Sequence, residues 1–329
     1  MRALQFGRQS LEDLRLTEVE DPHPKRGELL IDITKASVNP IDYYTITSLK
    51  VSPLPHIPGT EFTGTVSQLG EEVKGFSEGD RVAIYTRFFD GRCDMCIKGR
   101  EMLCRNGGRI GVDTDGGFAE KIAVNSLQAF KFDGPEEIAA SLPVAALTAY
   151  HALKEAEVKL GTIVVVLGAS GNTGMFATQL ARKMGATVIA VSRKSWPKEL
   201  GANEVVDYSE AEKVVREVTD GKMADVVINS LGAGFWDSGM NLLGVDSKLV
   251  TFGTLTGHEV KLDLSKLYSK HVKLIGTNRG SLREFSELVE ICRDCKVRVW
   301  KEFELEEGAD AVRSVLSRER DGRVLINVS

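Results

Sequence analysis

VVVLGASGNTGMFATQL, residues 164–180, is the stretch that decides the fold of this chain. It begins with a continuous run of aliphatic residues, passes through three glycines spaced by three, and continues as an apolar pattern at helical spacing. A continuous apolar run is typical of a strand that is buried on both faces. The stretch therefore predicts a buried strand, a tight turn and a helix, in that order.

The same alternation continues on both sides of this stretch. Downstream, strand-like segments are separated by helix-like ones, and upstream EEIAASLPVAALTAYHALKEA is apolar at helical spacing. The strand-like segments are ATVIAVS, EVVDY, ADVVINSLG, KLVTFGT and VKLIGTNRG. Because strands that alternate with helices form doubly wound parallel sheets, we predict an α/β domain over residues 138–280.

The glycine turn predicts a dinucleotide-binding site. Glycines let the backbone approach a pyrophosphate closely, and the N-terminus of the following helix favours an anion. The alternative is a tight strand–helix turn that binds nothing. The candidate cofactor residues of the turn are Gly168, Ser170, Gly171, Asn172, Thr173 and Gly174.

The end of the second strand favours NADP over NAD. An NAD site usually has an acidic residue there, which accepts hydrogen bonds from the ribose hydroxyls. This strand ends instead in Ser192, Arg193 and Lys194, a hydroxyl and two cations that suit a 2′-phosphate. The alternative is a pair of solvated loop charges. Three further candidates follow later strands: Asn229, Gly253 and Asn278.

The remaining segments have a different sequence pattern. Residues 1 to about 135 contain short strand patterns punctuated by Gly and Pro, which indicates an all-β region with loops. The segment after about residue 280 contains a helix, a strand-like VRVWKEFEL, another helix and a last strand, RVLINV. We therefore predict a second, β-rich domain, and we assign residues 1–137 and 281–329 to it.

Composition excludes several function classes. The chain has 329 residues, a net charge of −5 and no basic run, so neither nucleic acid nor an anionic membrane is expected as the main partner. No stretch approaches the roughly 20 apolar residues of a membrane span, and the first residues lack a signal-peptide core. We expect a cytoplasmic protein that acts on a small molecule.

The sequence resembles the medium-chain dehydrogenases/reductases, the family of zinc alcohol dehydrogenases and quinone oxidoreductases. The segments that carry the resemblance are GTEFTGTVSQLGEEVKGFSEGDRV, GASGNTG, LGANEVVDY and GRVLINV. The resemblance implies a GroES-like catalytic domain interrupted by a Rossmann domain, with the active site in the cleft between them.

The catalytic zinc of the alcohol dehydrogenases lacks its ligands in this sequence. The resemblance places Asn39 where the first cysteine ligand stands, Thr60 where the histidine stands, and Ala145 or Ala146 where the third ligand stands. Only Glu61 remains, whereas a catalytic zinc needs about three protein ligands. In the matching proton relay, Ile41 replaces a hydroxyl residue and Tyr44 replaces a histidine. Alcohol oxidation is therefore not expected.

Asn39-Pro40-Ile41-Asp42 instead resembles the zinc-free quinone oxidoreductases. That resemblance implies hydride transfer from NADPH to a quinone or an α,β-unsaturated carbonyl, which can accept hydride with only hydrogen-bond support. The candidate catalytic residues are Asn39, Asp42, Tyr44 and Glu61, with Tyr43 as an alternative to Tyr44. Asn39 could instead be a turn residue, Tyr44 a packed aromatic, and Asp42 a residue that orients the backbone. The alternative functions are a zinc-dependent alcohol dehydrogenase and a non-enzymatic NADPH-binding protein.

Cys93, Cys96 and Cys104 match a second, structural zinc site of the same family. Its usual fourth cysteine is replaced by Gly99, so tetrahedral zinc needs another ligand. Asp90 is our candidate for the fourth ligand, with Glu101 as the alternative. A further possibility is that no metal binds and the three cysteines are free thiols. Such a zinc would hold a loop and do no chemistry.

Two further features stay open at this stage. Cys292 and Cys295 form a second C-x2-C, which is more often a pair of half-buried thiols than a redox couple. Family members usually associate through an edge of the Rossmann sheet, so we expect a homodimer or homotetramer with KLVTFGTLTG as the dimer strand.

Overall fold

The computed structural model describes residues 1–328. Its strands are β1 Arg2–Gln5, β2 Arg15–Glu18, β3 Glu28–Val38, β4 Phe62–Leu69, β5 Arg81–Ile84, β6 Arg87–Phe88, β7 Gly108–Arg109, β8 Lys121–Asn125, β9 Ala129–Lys131, β10 Ile163–Leu167, β11 Thr187–Val191, β12 Glu204–Val206, β13 Ala224–Asn229, β14 Leu243–Thr251, β15 Lys273–Gly276, β16 Val299–Glu304 and β17 Arg323–Asn327.

The α-helices are α1 Pro40–Thr47, α2 Asp94–Ile97, α3 Glu136–Ala139, α4 Leu147–Glu155, α5 Asn172–Lys183, α6 Ala211–Val218, α7 Trp236–Asn241, α8 Leu264–Lys270, α9 Leu282–Ile291 and α10 Gly308–Ser314. Short 3₁₀ helices lie at Leu11–Asp13, Glu101–Leu103, Ser126–Gln128, Trp196–Leu200, Ala233–Phe235, Cys292–Asp294 and Leu305–Glu307. Among residues 1–328, no helix is long and apolar enough to cross a membrane.

The chain divides into two compact units. Unit 1 comprises Met1–Val144 and Gly280–Ser329, and unit 2 comprises Ala145–Arg279. The domain boundaries at 137/138 and 280/281 stay a prediction from the sequence.

Unit 2 is built around a six-stranded parallel sheet in the order β12-β11-β10-β13-β14-β15. The inner strands are buried because helices cover the sheet, so their sequences are nearly continuous runs of Val, Ile and Leu. This confirms the Rossmann-type sheet predicted from the sequence. KLVTFGTLTG was wrong as the dimer strand, since β14 is hydrogen-bonded on both sides and β15 forms that edge.

Unit 1 is built around a seven-stranded, largely antiparallel sheet. Its order is β16-β17-β3-β4-β5-β9, and β8 pairs with β3. The long strand β3 alternates between partners along its length, pairing with β8 near its start and with β17 near its end. Because β17 follows residue 280, the end of the chain completes the sheet that the first residues begin. The fold class is therefore the predicted one.

One predicted helix is broken. The segment 136–156 contains α3, a π-helical turn at Leu142–Ala146, and α4. Pro143 lies within the turn; proline has no N–H to donate, and its ring clashes with the carbonyl four residues earlier. The helix therefore widens at this point, as π-helical turns do.

Candidate functional site

Helix α1 in unit 1 carries the predicted catalytic residues, and its first turn is held by a capping box. Asn39 is the N-cap, and the Asp42 carboxylate accepts a hydrogen bond from the Asn39 backbone N–H at 2.7 Å. Pro40 follows the cap, where its fixed φ suits the first helical position. The local sequence Asn-Pro-x-Asp therefore explains why the chain turns into a helix here.

Asn39, Glu61 and Arg323 form a completely buried polar cluster. The Asn39 amide donates to the Glu61 carboxylate at 2.7 Å, and its oxygen accepts a hydrogen bond from the Arg323 guanidinium at 3.0 Å. Arg323 also forms an ion pair with Glu61, in which neither side chain is exposed. The second Glu61 oxygen accepts the Val144 N–H at 2.7 Å. Glu61 is thus neutralised by an arginine of strand β17.

Asp42 is also buried, but the groups that donate hydrogen bonds to its carboxylate are uncharged backbone amides. Its two oxygens accept the backbone N–H groups of Asn39 and Thr60, at 2.7 and 2.9 Å. Burial raises the pKa of Asp42 to about 6, since the backbone hydrogen bonds only partly oppose the loss of hydration. Its contacts are those of a residue that orients two segments of backbone, namely the start of α1 and the turn before β4.

These residues do not fit a catalytic zinc. Glu61 is the only carboxylate, thiol or imidazole among the positions that the resemblance assigned to the ligands, and Arg323 already pairs with it. Zinc requires about three protein ligands at a catalytic site. Within residues 1–328, the side-chain group that could hold a metal lies elsewhere and does not contain Glu61.

The two tyrosines of α1 differ in their surroundings. Tyr43 packs against the hydrophobic core of unit 1, whereas Tyr44 is half-buried and does not belong to that core. Their rings meet edge to face, with centroids 5.7 Å apart. Tyr44 therefore suits a role outside the core better than Tyr43.

The metal group consists of Asp90, Cys93, Cys96 and Cys104. One ligand atom from each of the four lies within 4.8 Å of all the others. The Cys93 sulfur lies 3.6 Å from that of Cys96 and 3.8 Å from that of Cys104. Tetrahedral zinc with Zn–S bonds of about 2.3 Å separates its sulfurs by about 3.8 Å. The donor set and its spacing therefore fit a closed, four-ligand zinc site.

Asp90 lies in this cluster, and Glu101 does not. The Asp90 carboxylate accepts the N–H groups of Cys93 and Arg92, which hold its pKa well below the usual range. Glu101 instead accepts the Leu282 N–H at the start of α9. Burial raises the pKa of the Cys96 thiol to about 12, so a divalent cation is needed to make it a thiolate.

In unit 2, the candidate cofactor residues follow one edge of the parallel sheet. The last residues of β10, β11, β13, β14 and β15 are all in register. They are Leu167, Val191, Asn229, Thr251 and Gly276. The loops that begin there, including those with Gly168, Ser192, Gly253 and Asn278, thus start along one edge. Ligands of such sheets bind outside the carboxyl ends of the strands.

The turn after β10 depends on two of its glycines. Gly168 has a φ of +73°, which other residues rarely adopt. A Cβ on Gly174 would lie 2.1 Å from the Gly168 carbonyl oxygen, which is backbone and cannot give way. Asn172 begins the twelve-residue helix α5, and Ser170, Gly171 and Thr173 lie beside its N-terminus. A pyrophosphate fits this arrangement, because the helix presents its first N–H groups and positive dipole end there.

Polar groups surround the end of β11. The buried Ser192 hydroxyl accepts the Lys194 N–H at 3.0 Å, while Arg193 is exposed. Tyr208, which follows β12, lies near Arg193 and the backbone of Gly168. Burial raises the pKa of the Tyr208 phenol, and the Arg193 charge opposes the rise. No carboxylate follows β11 in the sequence until Glu199. The Asp207 carboxylate, which precedes Tyr208, also raises the pKa of that phenol, so the end of β11 has charges of both signs near it.

Asn229 and Gly253 shape their own loops. The Asn229 amide oxygen accepts the N–H groups of Leu231 and Gly232, both at 3.0 Å, and its nitrogen donates to the Gly232 carbonyl. A Cβ on Gly253 would lie 2.0 Å from the Ser230 carbonyl, so only glycine allows the two loops to approach. Asn278 is exposed in the loop after β15. The packing of these loops is therefore a sufficient structural reason for an asparagine at 229 and a glycine at 253.

A separate groove of about 890 Å³ lies in unit 1. Strand β8, Phe88, Asp90 and Asp115 contribute to its walls, together with residues near the N-terminus. None of Asn39, Asp42, Tyr44 and Glu61 lines it. The groove is therefore distinct from the predicted catalytic residues.

The sequence did not point to Arg323 or Tyr208. Arg323 begins strand β17 and is followed by three buried apolar residues, which could have marked it as a paired charge. For Tyr208 the only local signal was an aromatic residue after a short strand.

Comparison with known proteins identifies both units. Residues 25–134 match the family model of the alcohol dehydrogenase GroES-like domain, and residues 173–294 match that of the zinc-binding dehydrogenases. An NAD-dependent alcohol dehydrogenase of Sulfolobus acidocaldarius is 30% identical, with 97% of each chain covered. An acryloyl-coenzyme A reductase of Sulfurisphaera tokodaii is 27% identical over 95% of this chain and 96% of its own length.

Solved structures are also similar to this chain over its whole length. A thermostable alcohol dehydrogenase from Pyrobaculum aerophilum superposes with a TM-score of 0.93 at 38% identity, covering 100% of this chain and 99% of its own. A second structure of that protein contains cobalt and zinc and matches equally well.

Proposed function

The chain belongs to the medium-chain dehydrogenase/reductase family and is an oxidoreductase of that family, and from this premise we propose that it is a reductase without a catalytic zinc. It transfers hydride from NADPH to a conjugated acceptor, either an α,β-unsaturated carbonyl compound or a quinone. One structural zinc in the cysteine lobe completes the proposal.

The Asn39–Glu61–Arg323 cluster is the observation that carries the proposal. The single carboxylate that could have bound a catalytic metal is already neutralised by a buried guanidinium, and an amide replaces a thiolate beside it. Removing the proton of an ordinary alcohol needs a Lewis acid or a positioned base, and in the proton relay Ile41 and Tyr44 replace the hydroxyl residue and the histidine. A conjugated acceptor needs none, because it spreads the developing negative charge over several atoms.

The chain's own residues would then bind and orient the acceptor. When bound, the nicotinamide cofactor supplies the hydride. Tyr44 is our candidate hydrogen-bond donor to the acceptor's carbonyl oxygen, on which negative charge develops. Asn39 holds that end of α1 in place, since both ends of its amide bind other side chains of the cluster. Asp42 holds the first turn of α1.

Preference for NADPH rests on the residues after β11. Ser192, Arg193 and Lys194 offer a hydroxyl and two cations where an NAD enzyme usually has a carboxylate. Tyr208 adds a phenol beside Arg193. We expect Arg193→Ala to raise KM for NADPH and to leave KM for NADH almost unchanged.

The acceptor class matches the name of some relatives. Acryloyl-coenzyme A reductases of Sulfurisphaera tokodaii and Metallosphaera sedula are 27% and 29% identical to this chain. An acryloyl group is an α,β-unsaturated acyl group, which is the electronic class of acceptor inferred here. Other relatives are named alcohol dehydrogenases, so alcohol oxidation is the second candidate.

The test is a substrate panel combined with metal analysis. NADPH consumption is followed with an enone, a 2-alkenal, acryloyl-coenzyme A and a benzoquinone, and NADP⁺ reduction with primary and secondary alcohols. We expect turnover of a conjugated acceptor with about one zinc per chain. Brisk oxidation of a saturated alcohol with two zinc ions per chain would establish the second candidate instead. NADPH binding without any turnover would indicate a non-enzymatic binding protein.

Two tyrosine variants make the assignment specific. Removing an oxyanion donor typically lowers kcat by about 10²–10³. Tyr44→Phe should therefore lower kcat strongly with little effect on the KM for NADPH. Tyr43→Phe is the matched control, because that ring packs in the core and keeps its apolar contacts.

A further inference from the structure

The second cysteine pair lies at the C-terminal end of α9 in unit 1. Cys292 and Cys295 are both buried, with 0% and 4% of their surface exposed. Their sulfur atoms are 2.9 Å apart. We propose that these two thiols are an oxidation site, at which a peroxide converts them to an intramolecular disulfide that closes the 3₁₀ turn directly after α9. The proposal is independent of the hydride acceptor.

The spacing of the sulfurs separates this pair from the zinc lobe. In the lobe the Cys93 sulfur is 3.6 and 3.8 Å from its neighbours, which matches the edge of a zinc tetrahedron of about 3.8 Å. At 2.9 Å the sulfurs of Cys292 and Cys295 are too close to share a zinc ion. Within residues 1–328, no group suited to a metal contains either residue.

The backbone already has the geometry that a disulfide needs. Residues Cys292–Asp294 form a 3₁₀ turn, and the Cys295 N–H donates to the Cys292 carbonyl at 3.1 Å. A turn closed in this way keeps its end Cα atoms within about 7 Å, and disulfides span about 4.4–6.8 Å. Bond formation therefore needs only a small shift of the two sulfurs.

The pair extends the buried face of α9. Phe285, Leu288 and Val289 are the buried residues of that helix, and Cys292 lies four residues after Leu288 and three after Val289. A bond from Cys292 to Cys295 would tie this buried face to the turn that leads towards strand β16. Its expected effect is therefore on the stability of unit 1.

The chemistry balances with hydrogen peroxide as the oxidant. The Cys295 thiolate attacks one peroxide oxygen, the O–O bond breaks, and a sulfenic acid and hydroxide form. That hydroxide takes the proton of the Cys292 thiol and becomes water. The Cys292 sulfur then attacks the Cys295 sulfur, so that the S–S bond forms, the S–O bond breaks and a second hydroxide leaves, which the proton first released by the Cys295 thiol converts to water. The two thiols lose two electrons, and the peroxide leaves as two molecules of water. Peroxide is small enough to reach the pair when the 3₁₀ turn after α9 opens locally.

Arg293 makes the product easy to detect. Trypsin cleaves after Arg283, Arg293 and Lys296, so it separates Cys292 in residues 284–293 from Cys295 in residues 294–296. A disulfide would hold the two fragments together until reduction. The zinc-loaded protein is treated with peroxide, denatured, alkylated, digested and analysed by mass spectrometry with and without reductant.

We expect the linked fragment in the wild type and none in Cys295→Ser. Oxidation should raise Tm by about 2–4 °C in the wild type and leave Tm of the Cys292→Ser/Cys295→Ser variant unchanged. Full alkylation of both cysteines after peroxide treatment would overturn the proposal, and so would their recovery as sulfinic acids. A linked fragment with no change in Tm would contradict the stabilising role.

Discussion

At the scale of single residues, the Glu61–Arg323 ion pair has the largest predicted effect. Breaking a buried pair costs about 3–5 kcal/mol, because the remaining charge is left without compensation. We expect Arg323→Met to lower the free energy of unfolding by this amount, measured by chemical denaturation. Glu61→Gln/Arg323→Met should recover part of the loss, since neither charge remains. Equal stability of the single variant and the wild type would contradict the pairing.

Asp42 should make stability depend on pH in an unusual direction. Its pKa is about 6 in the folded protein and about 3.9 in the unfolded chain, so the folded state binds more protons between pH 4 and 6. The free energy of unfolding should therefore fall as pH rises through this interval, by about 3 kcal/mol at most.

The matched variant is Asp42→Asn, which has no carboxyl group to titrate. We expect the free energy of unfolding of this variant, minus that of the wild type, to increase by about 2–3 kcal/mol as the pH rises from 4 to 7. Denaturation curves across this range measure the difference. A constant difference would mean that Asp42 titrates normally in the folded state.

At the scale of an element, the cysteine lobe should hold zinc through Asp90. Replacing one of four zinc ligands leaves an incomplete tetrahedron, so Cys96→Ser should lose stoichiometric zinc and Asp90→Asn should bind it more weakly. Glu101→Gln is the control, because Glu101 accepts a backbone hydrogen bond outside the cluster. Zinc content after dialysis measures the effect. If Glu101→Gln loses zinc while Asp90→Asn keeps it, the fourth ligand is misassigned.

The lobe also shows how far local spacing predicts a site. C-x2-C-x7-C restricts where three sulfurs can lie, so the sequence could indicate a metal before any fold was known. The choice between Asp90 and Glu101 was open, because both are close to the cysteines in the sequence. Packing distinguishes them: Glu101 faces the start of α9, which is about 180 residues later in the chain.

At the scale of the whole molecule, the exposed edge of unit 2 predicts association. Strand β15 is an edge, and the nearby Leu264 and Tyr268 are 67% and 73% exposed. We propose that copies of the chain pair through this edge. Leu264→Glu/Tyr268→Glu should then give a monomer by light scattering. Leu160→Glu is the control, because that leucine is 85% exposed but precedes β10, an inner strand that β13 and β14 separate from β15. A double variant that stays oligomeric would place the interface elsewhere.

The sequence by itself determined the fold class, the family and the glycine turn, because each of these follows from local periodicity or short spacing. The parallel sheet is visible in buried runs of Val and Ile, and the turn in glycines that a side chain would disrupt. These features depend on residues within about one strand–turn–helix unit of one another.

Only the tertiary structure decided the state of Glu61. Its partner Arg323 lies 262 residues away, and the two meet because the last strand of the chain pairs with β3, beside the start of α1. The same holds for the edge strand of unit 2, which depends on the order of strands in the sheet. Contacts between residues so distant in sequence depend on how the elements pack, and no local pattern encodes that packing.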